Sequence, residues 1–503
     1  MSEYDLKTQK YFDKVDKRRQ KYLEAAKQNP ASYKRHVFHM AIIAILVPTV
    51  LVVALFGILV FDVVSIFDDA RDSIFGINTQ VVLLFIIISL LSALRVNMGK
   101  PEGIEISPED APNLFSMIND VRASADGPAV DRVFISGDIN ACITQPQKPF
   151  KFWKFENHLT LGLPLLNLLT PEETKAVIAH EFGHFCAGDG KLGNWLYRAG
   201  VVIERLEDKY EEEGASLPEI PLAFFVSHFG ERFLDRIFPL MREQEYAADA
   251  MSAHITSPTS LASALLRLQI GANYMAKTYW PSVSKQMLHS QIPNVSPIKD
   301  SAQTLVNLND LQEIPRWLNA GLLQENDYED THPRLSDRLF ALNVSPFYPQ
   351  AHQRPAAYLL GHSLSAISEK LDEDWRENTR DKWDYLHNQG KEMQAKYQEL
   401  VQTAQSRPLN LEESIELVEI SDSMLNKDMV YGNINYLINQ HAESAEAWLY
   451  AGNHLLRDGQ PQCIDYLQYA VNLNSEMLKT AHFMMAQHYR EMGNQEALNN
   501  LAA

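Results

Sequence analysis

The residues most able to do chemistry are His180-Glu181-Phe182-Gly183-His184. A spacing of four puts both imidazoles on one face of a helix, within reach of a single ion, and zinc is its natural occupant. Glu181 follows the first histidine, where its carboxylate can take a proton from a metal-activated water instead of binding the metal. Gly183 leaves room for close packing beneath the site. An active zinc site needs a third protein ligand and an open fourth position. Glu245, in Arg242-Glu243-Gln244-Glu245-Tyr246-Ala247-Ala248-Asp249, is the candidate. Alone it reads as a solvated helix residue; beside the histidine pair it reads as a ligand. Asp249, one turn on and on the same face, can accept the second ring proton of a ligand histidine and fix its tautomer. Cys186 falls off the face shared by the histidines and reads as a buried small apolar residue.

These groups need a frame. Thr170-Pro171-Glu172-Glu173 is a helix start: Thr170 caps, proline suits the first turn, and Glu173 completes a capping box. Upstream, a helix is expected near Pro112–Ser124, with β-like stretches at Arg132–Ser136 and His158–Leu161. The stretch from Phe150 to Leu161 reads as a hairpin. An extended peptide would pair with an edge strand, near Asn140 or near Leu159.

Outside this region the chain changes character. Met40 to Phe61 and Ser73 to Leu94 carry no charged side chain and are each long enough to span a bilayer, with Pro48 able to kink the first. Lys and Arg are frequent before the first run, whereas the intervening loop holds Asp62, Asp68, Asp69 and Asp72 against Arg71, so both outer ends are expected on the cytoplasmic side. The basic tail itself reads as a solvated helix, and Pro221–Val226 as part of the protease core. A net charge of -19 argues against a nucleic-acid partner. Three cysteines, odd in number and widely spaced, fit a reducing compartment. Near the end, Ala447 recurs as Ala481 and Gly459 as Gly493, a spacing of 34 that is similar to a tetratricopeptide repeat.

The expected fold is thus α+β and mostly α-helical. It comprises a basic tail (1–36), a two-span transmembrane hairpin (37–96, spans about 40–61 and 74–94), a zincin-type metallopeptidase domain with a small β-sheet (101–345), a helical connector (346–410) and a tetratricopeptide-like helical domain (411–503).

Together these residues resemble the HtpX and CAAX-prenyl endoprotease family of integral-membrane zinc peptidases. The resemblance runs from about Pro101 to Leu342. It rests on Asn140-Ala141, Thr160-Leu161-Gly162-Leu163, the His180–His184 helix, the Glu245–Asp249 segment, and His332-Pro333 followed by Arg338. It implies one Zn2+ per chain held by His180, His184 and Glu245, with Asp249 in support. It places His332 and Arg338 near the active site as groups that stabilise the oxyanion. Glu181 would act as general base and then return the proton to the leaving amine. The implied protein is an endopeptidase of a bacterial inner membrane, its N-terminus and catalytic domain facing the cytoplasm. Its partners would be the bilayer, membrane or misfolded protein substrates, and a protein recruited by the C-terminal repeats. Alternatives are an inactive membrane-tethered scaffold and a processing protease for lipidated C-termini. Unlike some relatives, the chain has no charge-free run long enough to cross a membrane between Lys191 and Leu240.

Overall fold

The computed structural model describes residues 3–67, 103–146, 156–186, 191–212, 214–216, 219–308, 313–324, 331–351, 354–424 and 427–502, together with 80–81, 83–84 and 87. It is mostly helical with one small sheet. Two helices, α1 (Glu3–Gln28) and α2 (Pro30–Phe67), precede strand β1 (Ile104–Ile106), helix α3 (Pro112–Ser124) and strands β2 (Arg132–Ser136), β3 (Ala141–Thr144) and β4 (His158–Gly162). The sheet order is β1-β2-β4-β3. β2 and β4 run parallel, with Phe134 opposite Thr160, and the outer strands are antiparallel to them.

β3 and β4 form a hairpin, with Cys142 opposite Thr160. Of the hairpin expected over Phe150–Leu161, residues 150–155 lie outside the described set. β4 has neighbours on both sides, so the stretch near Leu159 offers no free edge; among the described residues β3 does.

After β4 come α4 (Leu163–Leu168), α5 (Pro171–Cys186), α6 (Lys191–Glu212), α7 (Ile220–Phe225), α8 (Glu231–Ile255), α9 (Pro258–Tyr274), α10 (Trp280–His289), α11 (Pro297–Val306), α12 (Ile314–Leu322) and α13 (Leu335–Ala341). A five-residue π-helical stretch, Val226–Gly230, joins α7 to α8. The main core lies between the sheet and the helices: Val133, Ile135, Leu159 and Leu161 meet Leu114 and Ile118 of α3 and Ile178 and Phe182 of α5. Ala356, Leu360, Ile367, Leu371 and Trp383 belong to the same core, so the segment expected as a connector covers the peptidase domain. It contains a 3-10 turn (Ala356–Ser363), α14 (Leu364–Asn378) and α15 (Arg380–Ser406).

The chain ends in α16 (Leu411–Met424), α17 (Lys427–Gln440), α18 (Ala445–Arg457), α19 (Cys463–Leu473), α20 (Leu478–Glu491) and α21 (Gln495–Ala502). Gly459 and Gly493 close α18 and α20 with the same φ of 68°, a left-handed turn that glycine enters without steric cost. Arg316 of α12 reaches this array and donates to the Leu456 carbonyl at 3.3 Å.

Among the described residues no helix is long and apolar enough to cross a membrane. The first expected span falls within α2, of which the side chains at 45, 48 and 51 lie outside the described set. The second, 74–94, is described only at 80–81, 83–84 and 87. The two-span hairpin is not borne out. Leu222 and Val226 are buried as expected, though beside Val52 and Leu55 of α2 and apart from the protease core. The basic tail is not simply solvated: Arg18 and Arg19 of α1 both meet the buried Asp235 of α8.

The metal motif depends on how closely α5 approaches α8. A Cβ at Gly183 would lie 2.6 Å from the Ala248 Cα and 2.8 Å from its Cβ. The first of these is backbone and cannot rotate away. Gly183→Ala should therefore force the two helices apart and cost about 1–3 kcal/mol, as overpacking does, lowering the urea midpoint. An unchanged midpoint would mean that the contact is not tight.

Candidate metal centre

The site is assembled from helix ends and helix contacts. The Thr170 amide donates to Glu173 Oε2 at 2.8 Å and the Glu173 amide donates to Thr170 Oγ1 at 3.2 Å, the reciprocal pair of a capping box. Glu173 also accepts from Arg267 Nε of α9 at 2.9 Å. Burial raises the Glu173 carboxyl, but Arg267 and the hydrogen bonds outweigh it and hold it below its ordinary value. The start of α5 is thus anchored to α9. One turn further, Ser252 of α8 donates to the Ala176 carbonyl at 2.6 Å, which sets α5 against α8.

That register brings three donors together. His180 Nε2 and His184 Nε2 are 3.2 Å apart, and each lies 3.5 Å from an oxygen of Glu245. Ligands held about 2.0–2.1 Å from a tetrahedral ion are separated from one another by about 3.3–3.4 Å, so the three edges match what zinc requires. Glu245 Oε2 is buried and has no hydrogen-bond donor at normal distance among the described residues. These are the features of a site that could hold a cation: two imidazoles, one carboxylate, and ligand atoms close enough to share one ion.

Behind them, His180 Nδ1 faces Asp249 Oδ1 at 2.9 Å. A neutral His180 then carries its proton on Nδ1 and turns the bare Nε2 toward the cage. Asp249 is in turn gripped by Arg338, whose Nε and Nη2 donate to the two carboxylate oxygens at 2.8 and 2.6 Å. Arg338 is buried and turns these two nitrogens to Asp249.

The charges respond to one another. Burial lowers His180, yet its bonds to Asp249 and Glu245 outweigh this and push it up to about 9. Burial and the neighbouring His180 push His184 down to about 4. Glu245 and Asp249, both raised by burial, are brought down to about 2 by the histidines and by Arg338 respectively. Burial pushes Glu181 up to about 7, with His180 opposing the shift and Glu245 adding to it.

Glu181 also accepts a hydrogen bond from the backbone amide of Ile143 on β3, which ties the sheet edge to the site. The sequence reading expected an edge near Asn140 without bounding this strand, for which the β-branched pair Ile143-Thr144 was a signal. His332, with a side chain 57% exposed, has Nε2 3.8 Å from Glu245 Oε1. It stands at the solvent-facing side of the cage. Every expected site residue is therefore found in one connected cluster.

The stretch 153–344 matches the model of peptidase family M48. A "Protease HtpX homolog" from Persephonella marina is 27% identical over 212 residues, which take in 39% of this chain and 70% of that protein. "Protease HtpX" from Actinobacillus pleuropneumoniae is 25% identical over 171 residues, 31% of this chain and 57% of its own. "Protease HtpX" from Wigglesworthia glossinidia brevipalpis is 25% identical over 278 residues, 50% and 88% respectively.

The His180 shift carries a pH consequence. In metal-free protein the ring, at about 9, is protonated at neutral pH, and a metal must displace that proton. Apparent zinc affinity should rise about tenfold per pH unit from 7 toward 9 and then level off, measured by competition with a chelator. A flat profile over that range would contradict the arrangement.

Proposed function

Because the chain is a metallopeptidase of family M48 with HtpX proteases among its relatives, we propose that it is a zinc-dependent endopeptidase acting on membrane or misfolded proteins. The observation that carries this reading is the convergence of His180, His184 and Glu245 at edges of 3.2 and 3.5 Å directly beside Glu181. His180, His184 and Glu245 would hold a single zinc ion, which would supply Lewis acidity toward a water and a scissile carbonyl.

The chain's own residues do the rest. Glu181, pushed up to about 7, is suited both to take a proton from the attacking water and to give it to the leaving amine. His332 stands on the open side, where it can donate to the developing oxyanion. Asp249 and Arg338 hold His180 in one tautomer. β3 supplies the docking edge for substrate. The Asn140 and Pro146 carbonyls accept from Gly162 and Glu156, so the alternate residues Ala141 and Ile143 turn their main-chain groups away from β4. The Ala141 amide is taken by Asn140 Oδ1 and the Ile143 amide by Glu181, so a peptide laid along that edge would be held through the Ala141 and Ile143 carbonyls, irrespective of its sequence, which suits unfolded segments.

Attachment to a bilayer rests on α2. This helix of 38 residues exposes Val50, Val53, Phe56, Phe61 and Val64, a surface that water disfavours. The C-terminal helices, with turns repeating at Gly459 and Gly493, are suited to recruit protein partners in the manner of tetratricopeptide repeats. An inactive scaffold would lack a ligand or the base, and none is missing.

The test compares wild type with Glu181→Gln in detergent for zinc content and casein cleavage. The variant should keep its zinc and lose about 10²–10⁴ of the rate, the usual contribution of a general base. Cleavage at the wild-type rate by the variant would remove Glu181 from the mechanism, and absence of zinc from both would overturn the metallopeptidase reading.

A further inference from the structure

The ligand Glu245 is carried by a helix that is weak on the side from which it is built. α8 contains Pro239, which cannot donate the hydrogen bond that the Asp235 carbonyl would otherwise accept. Just before it, Val226–Gly230 is wound as a π-helix. The half of α8 that bears Glu245 and Asp249 is therefore joined to the rest across a missing backbone bond, and its direction is not fixed by α8 alone.

α1 lies across this weak point. Asp235 is 2% exposed and faces two guanidinium groups of α1, Arg18 Nε and Arg19 Nε, each at 2.9 Å. Arg18 also reaches Glu231 at 2.5 Å, and Arg19 lies 5.0 Å above the ring of Phe238, next to the proline. In return, Arg236 of α8 covers the ring of Tyr22 at 4.9 Å. Beyond α1, the Tyr33 hydroxyl donates to the Arg236 carbonyl at 2.8 Å, and Lys34 pairs with Glu243 at 2.9 Å. The contacts thus bracket Pro239 from Glu231 to Glu243. A buried carboxylate with two cationic partners from one helix fixes that helix in register, because releasing them would leave a charge without compensation.

We infer that α1 is a brace for the metal centre: through Arg18, Arg19 and Asp235 it sets the direction of α8 across Pro239 and so positions Glu245 against His180 and His184. Asp235 is a positioning residue, ten residues from the ligand along the helix and without contact to it. This inference rests on the reading of Glu245 as the third ligand. It gives the basic N-terminal segment a task that its charge alone did not suggest.

The experiment uses full-length, zinc-loaded protein and follows zinc release to a chromogenic chelator together with hydrogen exchange over residues 236–249. Arg18→Glu/Arg19→Glu places two carboxylates against Asp235. It should detach α1, raise exchange in that segment, and speed zinc release about tenfold or more, the scale on which supporting residues tune a metal site. Arg18→Lys/Arg19→Lys, which keeps the charges, should release zinc close to the wild-type rate. Should the reversed pair impair folding, the nearly isosteric Asp235→Asn carries the same expectation. Wild-type zinc release from a protein whose α1 is detached would overturn the brace, as would an α1 that stays protected despite the reversal. Glu245→Ala is the control on the underlying reading: if it releases zinc at the wild-type rate, the ligand assignment fails, and the brace with it.

Discussion

The close contact between α5 and α8 is the constraint on which the site depends. One helix carries the two imidazoles and Glu181; the other carries Glu245 and, one turn on, Asp249. Donors can be held 3.2 to 3.5 Å apart only if the helix backbones nearly touch, and they do so where Gly183 faces Ala248. The capping box at Thr170, its ion pair with Arg267, and the Ser252 hydrogen bond to Ala176 all act to keep that one approach in register.

The second constraint is electrostatic. Glu181, Glu245 and Asp249 crowd a small volume, and three carboxylates would repel one another if left alone. Arg338 neutralises Asp249 with two hydrogen bonds, and Asp249 steadies His180. The remaining negative charge, on Glu245, is what a divalent cation would balance. The arrangement thus favours an ion at one place, with Glu181 beside it.

Much of the centre was legible from spacing, because the geometry of a single helix links residues four apart: His180 to His184, and Glu245 to Asp249. Contacts between distant segments were not legible. Nothing in the local sequence says that Arg338 reaches Asp249 or that Arg18 and Arg19 reach Asp235, since long-range ion pairs have no period. The edge strand was hard to bound for a related reason. Phe150–Phe155 is rich in aromatic residues that favour strands, whereas the edge strand Ala141–Thr144 is short and only half-buried, so its pattern is faint. The mostly helical α+β class and the small sheet were correctly anticipated. The segment after residue 345 looked like a connector because its polar helices bury only scattered residues, such as Leu360 and Trp383, in the main core.

The central claim is that two imidazoles and one carboxylate hold zinc. X-ray absorption at the zinc edge of the loaded protein tests it most directly. The account predicts a first shell of nitrogen and oxygen only, at about 2.0–2.2 Å, with the scattering pattern of two histidine rings. A sulfur shell near about 2.3 Å, drawn from Cys142 or Cys186, would contradict it.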